Sequence, residues 1–227
     1  MTQDPSLLTP DDLAAMAAAG ETVAGIEAGM RALGTNPREL LLEGVKPEDF
    51  RHYPAGDVYD FASHSQYYMH GHRDGEYGHL HLFLRPKGMP PQCKPAVAVG
   101  GADSPCHLIA VGLGHNGFAC ELFTTNRWVT GESWYAADDV TAMLPRLGFE
   151  GSNPGARVGR WAAALLALYR PLVITLVQRR DQTVAEWAAA HGGKALDDDR
   201  LEITSRAAID VHLWRQALDA EIERRAI

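Results

Sequence analysis

A chain of 227 residues with 46% hydrophobic content is long enough to build one well-cored domain and too apolar for wholesale disorder. Its formal net charge of −8 and its scattered arginines argue against a nucleic-acid partner and against docking on an anionic membrane. Cys93, Cys106 and Cys120 are an odd number without close spacing, so a disulfide framework is not expected.

In chain order, the start MTQDPSLLTPDD has neither a basic region nor an apolar run, so no secretory signal is read and the cytoplasm is the expected compartment. Thr9-Pro10-Asp11-Asp12 is a helix start: a capping hydroxyl, a proline suited to the first turn, and acids at the positive end of the dipole. The alanine-rich helix that follows is expected to reach Leu33, with a break near Gly20 and a stop at Gly34. Asn36-Pro37 opens a short helix over 38–42.

From Asp57 the pattern alternates, and strands are predicted at 64–72, 77–85, 95–100, 106–113, 117–124 and 127–131. Arg73-Asp74-Gly75 and Gly114-His115-Asn116-Gly117 read as hairpin turns, so the strands should form an antiparallel meander. Helices are then expected at 138–144, 157–169, 171–190 and 207–225, with a short added strand at 201–204. The apolar stretch 161–177 is interrupted by Arg170-Pro171 and short for a membrane span, so it is read as a buried helix pair. The order gives an α+β fold: an antiparallel β-sheet or partial barrel of about six strands flanked by N-terminal and C-terminal helices. One domain over 1–227 is expected, with helices at 1–56, the sheet at 57–135 and helices at 136–227.

The segment that carries chemistry is YYMHGHRDGEYGHLHLFLR, residues 67–85. It holds His70, His72, His79 and His81 as two His-x-His pairs. An even spread of the chain's ten histidines would put roughly half of one in that window. Residues two apart in a strand share a face, so each pair points one way. Folding the hairpin with an odd index sum sets His72 opposite His79 and His70 opposite His81, or, two residues on, His70 opposite His79. Either register gathers four imidazoles on one face, whereas an even sum splits them. Opposed side chains are then close enough to share one divalent metal ion. Three or four histidines suit zinc or copper; two histidines with a carboxylate from Glu76 suit non-haem iron. The blander reading is a solvated hairpin, or histidines bonded to their neighbours in a sheet.

The segment His70-Gly71-His72-Arg73-Asp74-Gly75-Glu76 resembles the HxH-x3-E part of the first cupin motif, over seven residues. The resemblance implies that His70, His72 and Glu76 hold iron, manganese or another divalent ion inside a small β-barrel. The flanking cupin glycines are replaced by His64 and Phe83, and the nearest counterpart of the second motif's histidine is His115. The chain as a whole resembles an uncharacterised bacterial family, which implies no activity.

Around the hairpin, Tyr68 shares the parity of His70, as a proton donor, a hydrogen-bond partner of a metal-bound ligand or a packing residue. Arg85 shares the parity of His79 and His81 and is a candidate clamp for a carboxylate substrate, against an ordinary outward salt bridge. Glu121, Arg127 and Glu132 are candidates to face the site, against sheet surface and packing. His107 and His115 reach the metal only if their hairpin packs alongside, and His52, His191 and His212 read as peripheral. The functions compatible with this pattern are a metal-dependent oxidoreductase or hydrolase acting on a small molecule, with an anionic one among the options, and a non-catalytic sensor or carrier. A third is a structural module without metal. Unpaired strand edges would suit a homodimer.

Overall fold

The computed structural model describes residues 4–72, 77–151 and 153–226. Its centre is a six-stranded open antiparallel sheet in which sequence order and spatial order coincide, β1 to β6. The strands are β1 (Tyr53–Tyr59), β2 (Ser65–His70), β3 (His79–Leu84), β4 (Cys106–Leu113), β5 (Ala119–Thr125) and β6 (Ile203–Ala208). Seven α-helices flank them among the described residues: α1 (Pro10–Ala32), α2 (Pro37–Leu42), α3 (Arg127–Thr130), α4 (Ala137–Met143), α5 (Pro154–Leu168), α6 (Arg170–His191) and α7 (Val211–Arg225). This is the expected α+β arrangement with helices before and after the strands.

The helices begin where the sequence offers side-chain acceptors. Thr9 accepts from the Asp12 backbone N–H at 3.1 Å, Asn36 from Glu39 at 2.9 Å and Asn153 from Ala156 at 2.7 Å. The break expected at Gly20 does not occur, and α1 runs through it. That glycine is a packing site instead, since a Cβ there would lie 3.1 Å from Cγ of Arg215 on α7.

Three strand expectations need correction. Residues 95–100 form no strand, and Val97 makes only an isolated bridge to Trp134. Residues 127–131 form helix α3, because the Asn126 side chain accepts from the Arg127 N–H and Gly131 closes the turn at φ +66°. The first strand, β1, lies mostly N-terminal to the sheet start read at Asp57, hidden by Pro54 and Gly56. The added strand at 201–204 exists as β6, so the last helix starts at Val211 and not at 207.

The helices cover one sheet face. That face carries Tyr67, Met69, Leu80, Leu82, Leu84, Ile109, Val111 and Leu122, all in the core. The Tyr67 hydroxyl donates to the Gly155 carbonyl of α5 at 2.6 Å, and the Ser205 hydroxyl to Leu176 of α6 at 2.8 Å. Trp161, fully buried, ties α5 to α1 by donating to Glu27 at 3.0 Å. Among the described residues no single helix is long and apolar enough to cross a membrane. The apolar run 161–177 is divided between α5 and α6, which meet at 83° and bury Trp161, Leu165, Leu172 and Leu176 in the core.

Candidate metal centre

The opposite face of the sheet carries the histidines. In the β2–β3 hairpin His70 pairs with His79 and Tyr68 with His81, the second of the two odd-sum registers. All four imidazoles expected on one face are therefore neighbours. Ring centroids are 4.4 Å apart for His70 and His79, 5.1 Å for His70 and His72, and 4.8 Å for His79 and His81. His70, His72 and His79 each offer a ring nitrogen, and these nitrogens lie within 4.8 Å of one another. Two nitrogens on one ion at about 2.0–2.1 Å are at most about 4.2 Å apart, so small ring rotations suffice to close the set.

Local sequence explains why the rings converge. Gly78, at φ +125°, brings the returning strand so near that a Cβ would sit 3.2 Å from the His70 carbonyl oxygen. On β4 the residues opposite His79 and His81 are Gly112 and Ala110. Their small size lets Phe123, on β5 next to Ala110, reach across; its ring is 5.5 Å from that of His79 and 6.3 Å from that of His81. A bulge between Ile109 and His107 turns His107 onto the same face. Nδ1 of His81 is 3.1 Å from Nε2 of His107, whose Nδ1 is 3.4 Å from the Thr125 hydroxyl.

His70, His79, His81 and His107 are all buried. Metal ligation uses the neutral imidazole, and protonating several neighbouring rings would set like charges against each other. His107 is pushed down to about 3 by burial, and further by Arg180 and His79. The all-nitrogen donor set fits iron, copper or zinc, and does not fit magnesium or calcium, which take oxygen ligands.

The other sequence candidates are distributed as follows. Tyr68 stands on the histidine face, its ring 5.3 Å from His70 and 5.2 Å from His81. Burial, with the Asp57 and Glu132 carboxylates, raises its phenol well above the ordinary range, so it stays a donor. Arg85 donates to Gln66 at 2.6 Å and to Asp103 at 3.0 Å. Glu76 lies outside the described residues. Glu121 is held by Arg206 at the β5–β6 edge, Arg127 pairs with Asp197, and His115 lies beside Tyr77. Glu132 is buried and pushed up to about 8, chiefly by burial against the opposing pull of Arg180.

Sequence reading missed a polar chain that ends at the site. His52, read as peripheral, stacks on Tyr68 at 3.6 Å and turns its ring edgewise to His70 at 5.7 Å. Its Nδ1 is 3.0 Å from Asp57, which accepts from Gln66 at 2.7 Å, which in turn accepts from Arg85. Arg85 thus braces the residues that hold His52. Phe50 stacks on His72 at 4.5 Å, and its N–H donates to the Gly71 carbonyl. A cleft of about 240 Å³, lined by His70, His72, Arg38, Asp49, Tyr53 and Tyr77, opens beside these rings. The only sequence signal for any of this is the count of rings in 50–53, since long-range stacking leaves no periodicity.

Fold and site together define an α+β protein whose sheet has one helix-packed face and one histidine-lined face. The chain belongs to the family described as Domain of unknown function (DUF6969), which it matches over residues 17–209. No curated protein and no solved structure matches it.

Proposed function

We propose that this protein is a metal-dependent enzyme, holding one iron, copper or zinc ion through His70, His72 and His79, with His81 beside them, and acting on a small molecule. The observation that carries the reading is the gathering of three imidazole nitrogens within 4.8 Å, from the last residue of β2, the second residue beyond it and the first residue of β3. When bound, such an ion supplies Lewis acidity or redox chemistry at positions the protein leaves open. The chain's own residues supply the rest. The 240 Å³ cleft admits a small ligand to His70 and His72, past a wall on which Arg38, paired with Glu39, stands among the carboxylates of Glu48 and Asp49. Tyr68, held protonated, offers a hydrogen-bond donor on the same face. Asp57 orients His52 through Nδ1, leaving Nε2 as the ring's second polar atom.

Untagged protein, purified and analysed for metals, should carry one transition metal per chain, lost in His70→Ala and His79→Ala. Metal-free wild type that also refuses iron, copper and zinc on titration sinks the proposal. The nearness of His81, 5.1 Å from His70 and 4.8 Å from His79 between ring centroids, favours a second reading, a closed site in a sensor or carrier. Azide separates the two: it should perturb the spectrum of copper- or cobalt-loaded protein if a position is open, and leave it unchanged if the shell is closed.

A further inference from the structure

We propose that His107 is a positioning residue for the metal site: His81 donates Nδ1–H to Nε2 of His107, which fixes the His81 tautomer and turns its Nε2 lone pair toward His70 and His79 as a further ligand. The inference rests on metal binding at the histidine face, which both readings above share, and adds to it a residue from a third strand.

The geometry carries the argument. His107 reaches the histidine face only because the bulge on β4 shifts the register between Ile109 and His107. Its Nε2 is then 3.1 Å from His81 Nδ1, a hydrogen-bond distance. A hydrogen bond between two neutral imidazoles needs one N–H and one lone pair. On its far side His107 has the buried Thr125 hydroxyl at 3.4 Å from Nδ1, an oxygen able to accept a ring N–H. When its single proton sits on Nδ1, toward Thr125, His107 presents a lone pair from Nε2 and His81 is the donor, the arrangement that leaves the His81 Nε2 lone pair for a metal. Histidines that ligate metals generally donate their other nitrogen to such a partner, which fixes ring orientation and raises ligand basicity. The partner is more often a carboxylate or carbonyl. A neutral imidazole does the same work without bringing a negative charge into a buried site. Burial supports neutrality at His107, which is 2% exposed.

Two measurements on the full chain test this. Long-range proton–nitrogen spectra of the metal-free protein should show His81 as the Nδ1–H tautomer. His107→Leu should switch it toward Nε2–H and weaken metal binding by roughly 10–100-fold. His107→Gln, whose side-chain oxygen can accept in place of Nε2, should retain most of the affinity and the wild-type spectrum of the cobalt-loaded site. Should the leucine variant not fold, the wild-type tautomer still decides. A His81 Nε2–H tautomer in wild type that binds metal overturns this inference alone, as does unchanged affinity in a folded His107→Leu. Failure of wild type to bind any metal overturns the functional reading itself.

Discussion

His79 is fully buried and has three histidine rings around it, His70 at 4.4 Å, His81 at 4.8 Å and His72 at 5.3 Å. His79→Ala is therefore expected to lower metal affinity by at least about 100-fold, beyond the loss typical of an outer hydrogen-bond partner. Competition with a chelating dye measures it. Glu132 makes a different prediction. Its carboxyl is raised to about 8 in the fold, against an ordinary value near 4.5, so the folded state holds its proton more tightly than the unfolded state does. The stability it contributes is present below the unfolded value and is lost as pH rises through about 8. Glu132→Gln should accordingly gain stability relative to wild type between pH 5 and pH 9, by an amount on the order of a few kcal/mol. Urea unfolding at the two pH values reads the difference; equal curves at both would refute it.

The β2–β3 hairpin is the element on which the site depends. Gly78→Ala forces a side chain into φ +125° with its Cβ 3.2 Å from the His70 carbonyl. A cost of roughly 1–3 kcal/mol is expected. Because that strain falls between His70 and His79, weaker metal binding should accompany the lower urea midpoint. A variant with unchanged affinity would separate the turn from the site. This hairpin was also the part of the site most legible in the sequence. Two His-x-His pairs and a turn signal leave only the register open, and the odd sum holds. The contribution of β4 was not legible. His107 arrives by a bulge, which has no local signature when Leu108 is as apolar as its neighbours. Strand β1 was obscured by its own Pro54 and Gly56, and α3 by a tryptophan and a valine that suit a strand until Asn126 caps them. His52 joins the site through stacking on Tyr68, a contact fixed by tertiary structure alone.

At the level of the whole molecule, stability and metal occupancy should be coupled. An ion that binds only the folded chain stabilises it by about 2.7 kcal/mol when free metal is 100 times Kd. For a chain of 227 residues this should raise Tm by roughly 5–11 °C. Calorimetry should find the rise in wild type and not in His79→Ala. The helical face responds independently. Trp161→Ala removes the largest fully buried side chain and leaves Glu27 without its indole donor, so a loss of about 3–5 kcal/mol is expected. Metal affinity per folded molecule should be spared, since Trp161 and the histidines lie on opposite sides of the sheet.

The coincidence of chain order and spatial order in the sheet has a kinetic consequence. The imidazoles that gather at the metal site, with His107, fall between residues 70 and 107, on or beside β2, β3 and β4, which adjoin in sequence. The entropy cost of closing a loop grows slowly with its length, and pairings between strands adjacent in sequence form fast. A nascent chain can thus zip this half of the sheet together while the segment that will become β6 is still unmade.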